Sequence, residues 1–61
     1  MDVLITEIST GKLIAKYPII LGGQNYNPTE QEYFNEAWHC AVEDKLLSDQ
    51  DREKYSFSFA R

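Results

Sequence analysis

The residues with the strongest claim to chemistry are His39 and Cys40, neighbours in the stretch TEQEYFNEAWHCAVEDKLL that runs from Thr29 to Leu47. A base beside a thiol is what a thiolate nucleophile needs, and both side chains are also soft metal ligands. The stretch has helical periodicity, however, and adjacent residues of a helix project about 100° apart, so His39 is badly placed to take a proton from Cys40. The neighbours do not help: Glu36, Glu43 and Asp44 are acidic, whereas a thiolate is favoured by positive surroundings. One histidine and one cysteine in the whole chain also leave a tetrahedral metal site half filled.

The carboxylates of Glu36, Glu43 and Asp44 are the second candidate. Acid–base hydrolysis needs two carboxyl groups held in different environments, and nothing in the sequence creates that difference. Glu36 and Glu43 are instead two helical turns apart, with Asp44 beside them, forming a row about 10 Å long at 1.5 Å rise per residue. Such a row suits contact with a basic partner.

The glycine pair Gly22-Gly23, which precedes the helix, invites comparison with phosphate-binding loops. It lacks both the spacing of a dinucleotide-binding turn and the Lys-Ser or Lys-Thr pair of a P-loop. Asn27-Pro28-Thr29 is no glycosylation acceptor, because proline occupies the middle position. An enzymatic reading would be left with His39 and Tyr26 on residue type alone. The expectation is therefore a protein that is not an enzyme, with no catalytic, cofactor-binding or metal-binding residues.

The helix that carries these side chains is well marked. Thr29 with Glu32 three residues on forms a capping box, Glu30 and Glu32 complement the helix dipole, and Asn27-Pro28 disfavours helix ahead of the cap. Tyr33, Phe34, Ala37, Trp38, Ala41 and Val42 fall on one half of the wheel and form the core stripe. His39, Cys40 and the acidic row lie on the other half or at its edges.

Ahead of the helix, Val3–Ile8 and Leu13–Tyr17 are rich in β-branched residues and flank Ser9-Thr10-Gly11-Lys12, the pattern of a β-hairpin. Pro18 has no N–H to donate, which places the second strand at a sheet edge or ends it there. Ser48 and Asp51 offer a second cap for a short helix. Tyr55-Ser56-Phe57-Ser58-Phe59-Ala60 then alternates strictly and predicts a third strand.

The expected fold class is α+β: one domain over residues 1–61, β-β-α-β, with a three-stranded, mostly antiparallel sheet on one main helix and a short second helix before the last strand. The expected spans are 2–8, 12–20 and 55–60 for the strands and 30–47 for the main helix. If Pro18 keeps the second strand at the edge, the spatial order is 2-1-3 and antiparallel; the alternative order 1-2-3 would set the third strand parallel to the second across a right-handed crossover. Phe34, Trp38, Phe57 and Phe59 are the expected core.

One helix covers one face of such a sheet. Both hairpin strands carry apolar residues on both faces, so the uncovered face should expose Leu4 or Ile14, and exposed apolar patches mark interfaces. The net charge of −4 and pI near 4.7 argue against direct binding to nucleic acid or an anionic membrane, both of which need a basic patch. A single cysteine makes no internal disulfide, and the sequence shows neither a signal peptide nor a transmembrane run, so the expected location is the cytoplasm.

These observations lead to a small acidic protein acting by protein–protein interaction as a regulator or inhibitor. Leu4, Ile14, Glu36, Glu43 and Asp44 are its candidate contact residues. Two alternatives share the same features: a structural homodimer subunit, and an acidic nucleic-acid mimic that blocks a basic nucleic-acid-binding protein.

Overall fold

The computed structural model describes residues 1–23 and 26–60. Strand β1 (Asp2–Glu7) and strand β2 (Leu13–Pro18) form the expected hairpin, α1 (Glu30–Glu43) follows, and a 3-10 helix (Asp49–Lys54) leads into β3 (Tyr55–Phe59). The sheet is antiparallel in the order β2-β1-β3, with β1 central.

The hairpin turn is built from local bonds. Gly11 N–H donates to Glu7 C=O at 2.8 Å, and Glu7 N–H to Lys12 C=O at 2.9 Å. Gly11 takes φ +72°, the left-handed region that a Cβ disfavours. The register then slips between Ile5 and Thr6, so that Ile5 faces Ala15 while Thr6 faces Leu13. Ile14 is the extra residue of a β-bulge.

The core lies between one face of the sheet and α1. Val3 and Ile5 are fully buried, and Ala37 and Ala41, one turn apart, let the helix approach closely over them. Trp38 is 3% exposed and touches Tyr55 and Phe57 at ring distances of 5.7 and 6.1 Å. Phe34 stacks on Phe57 and lies 4.9 Å from Phe59. Phe34, Phe57 and Phe59 pack on the core but are only half-buried, since β3 is an outer strand. The aliphatic pair on the central strand holds the deepest position instead.

Pro18 ends β2 two residues before the expected boundary. The chain still pairs one step further: Met1 and Ile19 exchange both backbone bonds at 2.8 Å, and Ile19 is buried. Ile20 then stands 92% exposed. In the loop to α1, Gly22 takes φ +102° with Pro28 and the Tyr26 carbonyl 3.2 Å from where a Cβ would stand, so only glycine fits comfortably. Gln24 and Asn25 of this loop lie outside the described residues.

The α1 cap forms by half. Thr29 Oγ1 accepts from Glu32 N–H at 3.3 Å, but the Glu32 carboxylate accepts the Tyr26 hydroxyl rather than reaching back to Thr29. The helix stops at Glu43, four residues short of the expected end. Lys45 turns left-handed at φ 61°, Lys45 N–H donates to Val42 C=O, and Leu46 N–H to Ala41 C=O. That is a Schellman stop with lysine in the place glycine usually takes, which is why no composition signal announced it.

Candidate interaction surfaces

The acidic face of α1 is partly engaged within the chain. Tyr17 Oη donates to Asp44 Oδ2 at 2.7 Å, turning Asp44 toward β2. His39 Nε2 lies 2.9 Å from Glu43 Oε1, one turn apart on an exposed flank. Glu36 makes no ion pair among the described residues. Of the expected row, Glu36 and Glu43 therefore face solvent together, while Asp44 closes the gap between helix end and sheet edge.

Burial pushes the Tyr17 hydroxyl up to about 12, reinforced by its bond to Asp44 and by the negative charge of that carboxylate. Burial also raises the Cys40 thiol, with Glu36, Asp44 and Glu43 adding to the effect. Cys40 was expected at the polar margin, but it is half-buried and packs against the core cluster. A protonated thiol in acidic surroundings is a poor nucleophile. His39 is held by Glu43, away from it. Among the described residues no group of three or more His, Cys, Asp or Glu is placed to hold a metal ion.

The outer face of the sheet is the other candidate. Val3 and Ile5 point to the helix, so Leu4 and Thr6 point away. Leu4 faces Lys16 and Ser58, and Thr6 faces Ser56 and Leu13. Ile14 precedes inward-facing Ala15 and Leu13 pairs with outward-facing Thr6, so the bulge sets Leu13 and Ile14 on the outer face together. Both sequence-predicted residues, Leu4 and Ile14, are thus outward, and both are half-buried by their neighbours.

Leu13, 51% exposed, is the contact candidate that sequence reasoning missed. A regular alternation puts Leu13 inside with Ala15, and only the slipped register moves it out. The β3 half of this face carries Ser56 and Ser58, and Lys16 Nζ lies 3.5 Å from Asp2 Oδ2 at the far end. The apolar part is therefore a compact patch near the hairpin rather than a whole sheet face.

The 3-10 helix fastens the opposite side. Trp38 Nε1–H donates to Asp49 Oδ1 at 2.9 Å, and the Arg52 guanidinium lies over the Trp38 and Phe57 rings at 5.9 and 5.4 Å while bonding Asn35. Ser48 occupies the cap position expected of it but makes no side-chain cap bond. Among the described residues no helix is long and apolar enough to cross a membrane. Comparisons with protein-family models, curated proteins and solved structures find no match to this chain.

Proposed function

We propose that this chain is a non-enzymatic binding protein that docks a protein partner on the outer face of its sheet. The observation that carries this reading is the cluster of Leu4, Leu13 and Ile14 on a face that no helix among the described residues covers, with Leu13 half exposed by the bulge. A small apolar patch ringed by Ser56, Ser58, Thr6 and Lys16 has the anatomy of an interface centre with a polar rim. Regulation or inhibition of the partner is the role such a surface suits, and the lone reduced thiol of Cys40 fits a cytoplasmic setting.

A second reading rests on a different observation. Glu43 is held by His39 and Asp44 by Tyr17, so carboxylates near Glu36 are fixed in position, as a mimic of nucleic-acid phosphates requires when it occupies a basic protein.

Affinity capture from the native host with three baits separates the two. Ile14→Asp should lose the partner while Glu36→Lys/Glu43→Lys retains it. Retention by Ile14→Asp and loss by the charge-reversed bait would transfer the reading to the acidic face, and added salt should then weaken the wild-type complex as well.

A further inference from the structure

The backbone bonds of β1 alternate between its two neighbours. Met1 exchanges bonds with Ile19 of the β2 side, so odd-numbered residues of β1 bond toward β2. Ala60 N–H donates to Asp2 C=O at 2.9 Å, and Ile8 N–H to Lys54 C=O at 3.0 Å, so even-numbered residues bond toward β3. In the β1–β3 register Leu4 faces Ser58 and Thr6 faces Ser56. Ser56 and Ser58 therefore spend their backbone groups on β1, and Tyr55, Phe57 and Phe59 aim theirs at the free edge.

Of those outward groups, Tyr55 N–H is taken by Arg52 C=O. The N–H and C=O of Phe57, the N–H and C=O of Phe59 and the C=O of Tyr55 accept or donate no bond among the described residues. The strand has no charged residue, no proline and no bulge, which are the devices that ordinarily blunt an edge.

We propose that two copies of this chain pair antiparallel through β3 about a two-fold axis at Phe57, joining their sheets into one of six strands. Four of the five free groups of each strand match under that operation. Phe57 exchanges both bonds with the Phe57 of the second copy, and each Phe59 N–H donates to the other copy's Tyr55 C=O. The Tyr55 N–H stays on Arg52 C=O within its own chain, so the Phe59 C=O at each open end of the seam is left to solvent. Side chains match as well: serine meets serine on the outer face, and aromatic meets aromatic on the inner face, in the cross-strand pairs that stabilise sheets.

An open hollow of about 520 Å³ beside the strand, lined in part by Tyr55, Phe57, Arg52, Asp49 and Glu53, leaves room for the second copy's rings. Its rim carries both signs of charge, so the two-fold can set each Arg52 toward carboxylates of the other copy despite the net charge of −4 per chain. An isologous contact of this kind closes at two copies. It does not require the outer-face partner proposed above.

Sedimentation equilibrium and amide exchange on the full chain test this. Wild type should dimerise with rising concentration, and the Phe57 and Phe59 amides should become protected in step with dimer content. Ser56→Lys/Ser58→Lys sets lysines against each other across the seam on exposed positions, and should raise the dimer dissociation constant about tenfold or more. A synthetic chain with N-methyl-Phe57 keeps the ring and the β1 ladder but removes the central donor, and should weaken the dimer likewise. Ile14→Asp should leave it unchanged. A wild type that stays monomeric, with Phe57 and Phe59 exchanging at concentration-independent rates, overturns the proposal; so does a dimer that Ile14→Asp disperses and N-methyl-Phe57 does not.

Discussion

The two outer strands of the sheet solve the same problem differently. Every outer strand presents unpaired backbone groups that invite another strand to add. On β2 the bonded partners of β1 are the odd-numbered residues, so Pro18 stands where its missing N–H would have faced the open edge. Lys16 places a charge on the same edge, and the bulge at Leu13-Ile14 breaks its regularity. On β3 none of these devices appears: Tyr55–Phe59 is an uncharged run of aromatics and serines in regular register. One edge carries three such devices and the other none of them, and β3 is the edge that the proposed pairing would use.

The same asymmetry runs through the core. On the β3 side the fold is held by aromatic packing that converges on Trp38, with the 3-10 helix fastened over it by Asp49 and Arg52. On the β2 side Ala15 and Tyr17 pack at the margin of the core, and among the described residues one hydroxyl–carboxylate bond, Tyr17 to Asp44, ties the helix end to the sheet edge. The largest expected effect therefore lies with Trp38. Trp38→Ala should cost about 3–5 kcal/mol, most of the stability of a domain this small. Urea unfolding followed by circular dichroism measures it. A loss under about 1 kcal/mol would show that the β3 side is not anchored through this ring.

How much of this was legible beforehand follows the same division. The β2 edge was readable because Pro18 carries a backbone constraint in its covalent structure, whatever surrounds it; the order 2-1-3 followed only on that condition, with 1-2-3 left open until the pairing decided it. The start of α1 was readable because Thr29, Glu32 and Pro28 act locally. The end of α1 was not, since Lys45 turns left-handed where Leu47 packs back onto the core and Leu46 stays exposed, which no local pattern announces. The bulge was equally silent: nothing in LIAKY distinguishes a slipped register from a regular one, and it alone decides that Leu13 is outside. Of the candidate contact residues, the facing of Leu4 and Ile14 was left open by the sequence and settled by the register. The engagement of Asp44 by Tyr17, across 27 residues, lay beyond any local pattern.

Tyr17 offers the next test. Its hydroxyl, raised to about 12 by burial and by Asp44, is favoured in its protonated form by folding, since the ordinary value is about 10. That contribution is fully present below pH 10 and is lost as pH rises through 12. Tyr17→Phe should cost about 1 kcal/mol at neutral pH, the typical net worth of one such bond at a half-exposed site, and should remove the part of the alkaline destabilisation that belongs to this group. Ultraviolet titration of the phenols should show one tyrosine ionising last in wild type and absent from the variant. Identical alkaline unfolding curves for the two proteins would sever the β2 side from this bond.

The smallest effect on stability, and the sharpest on the comparison of edges, is expected from Pro18→Ala. The ring is exposed and the position makes no ladder bond through its nitrogen, so the fold should lose only the chain stiffness that proline contributes, about 0.5 kcal/mol. The substitution restores an N–H that points away from β1, reopening part of the guarded edge. A chain whose β3 already pairs with a second copy would then have two adhesive edges, and contacts through both generate open assemblies rather than closed dimers. Light scattering of Pro18→Ala should therefore rise with concentration beyond the size at which wild type stops, and adding Lys16→Val should raise it further. If both variants stop at the wild-type size, the bulge at Leu13-Ile14 alone closes the β2 edge, and proline and lysine are there for the hairpin's own geometry. If wild type itself assembles without limit, the edges do not differ as their sequences say they should, and the assignment of β3 as the single pairing strand falls with that difference.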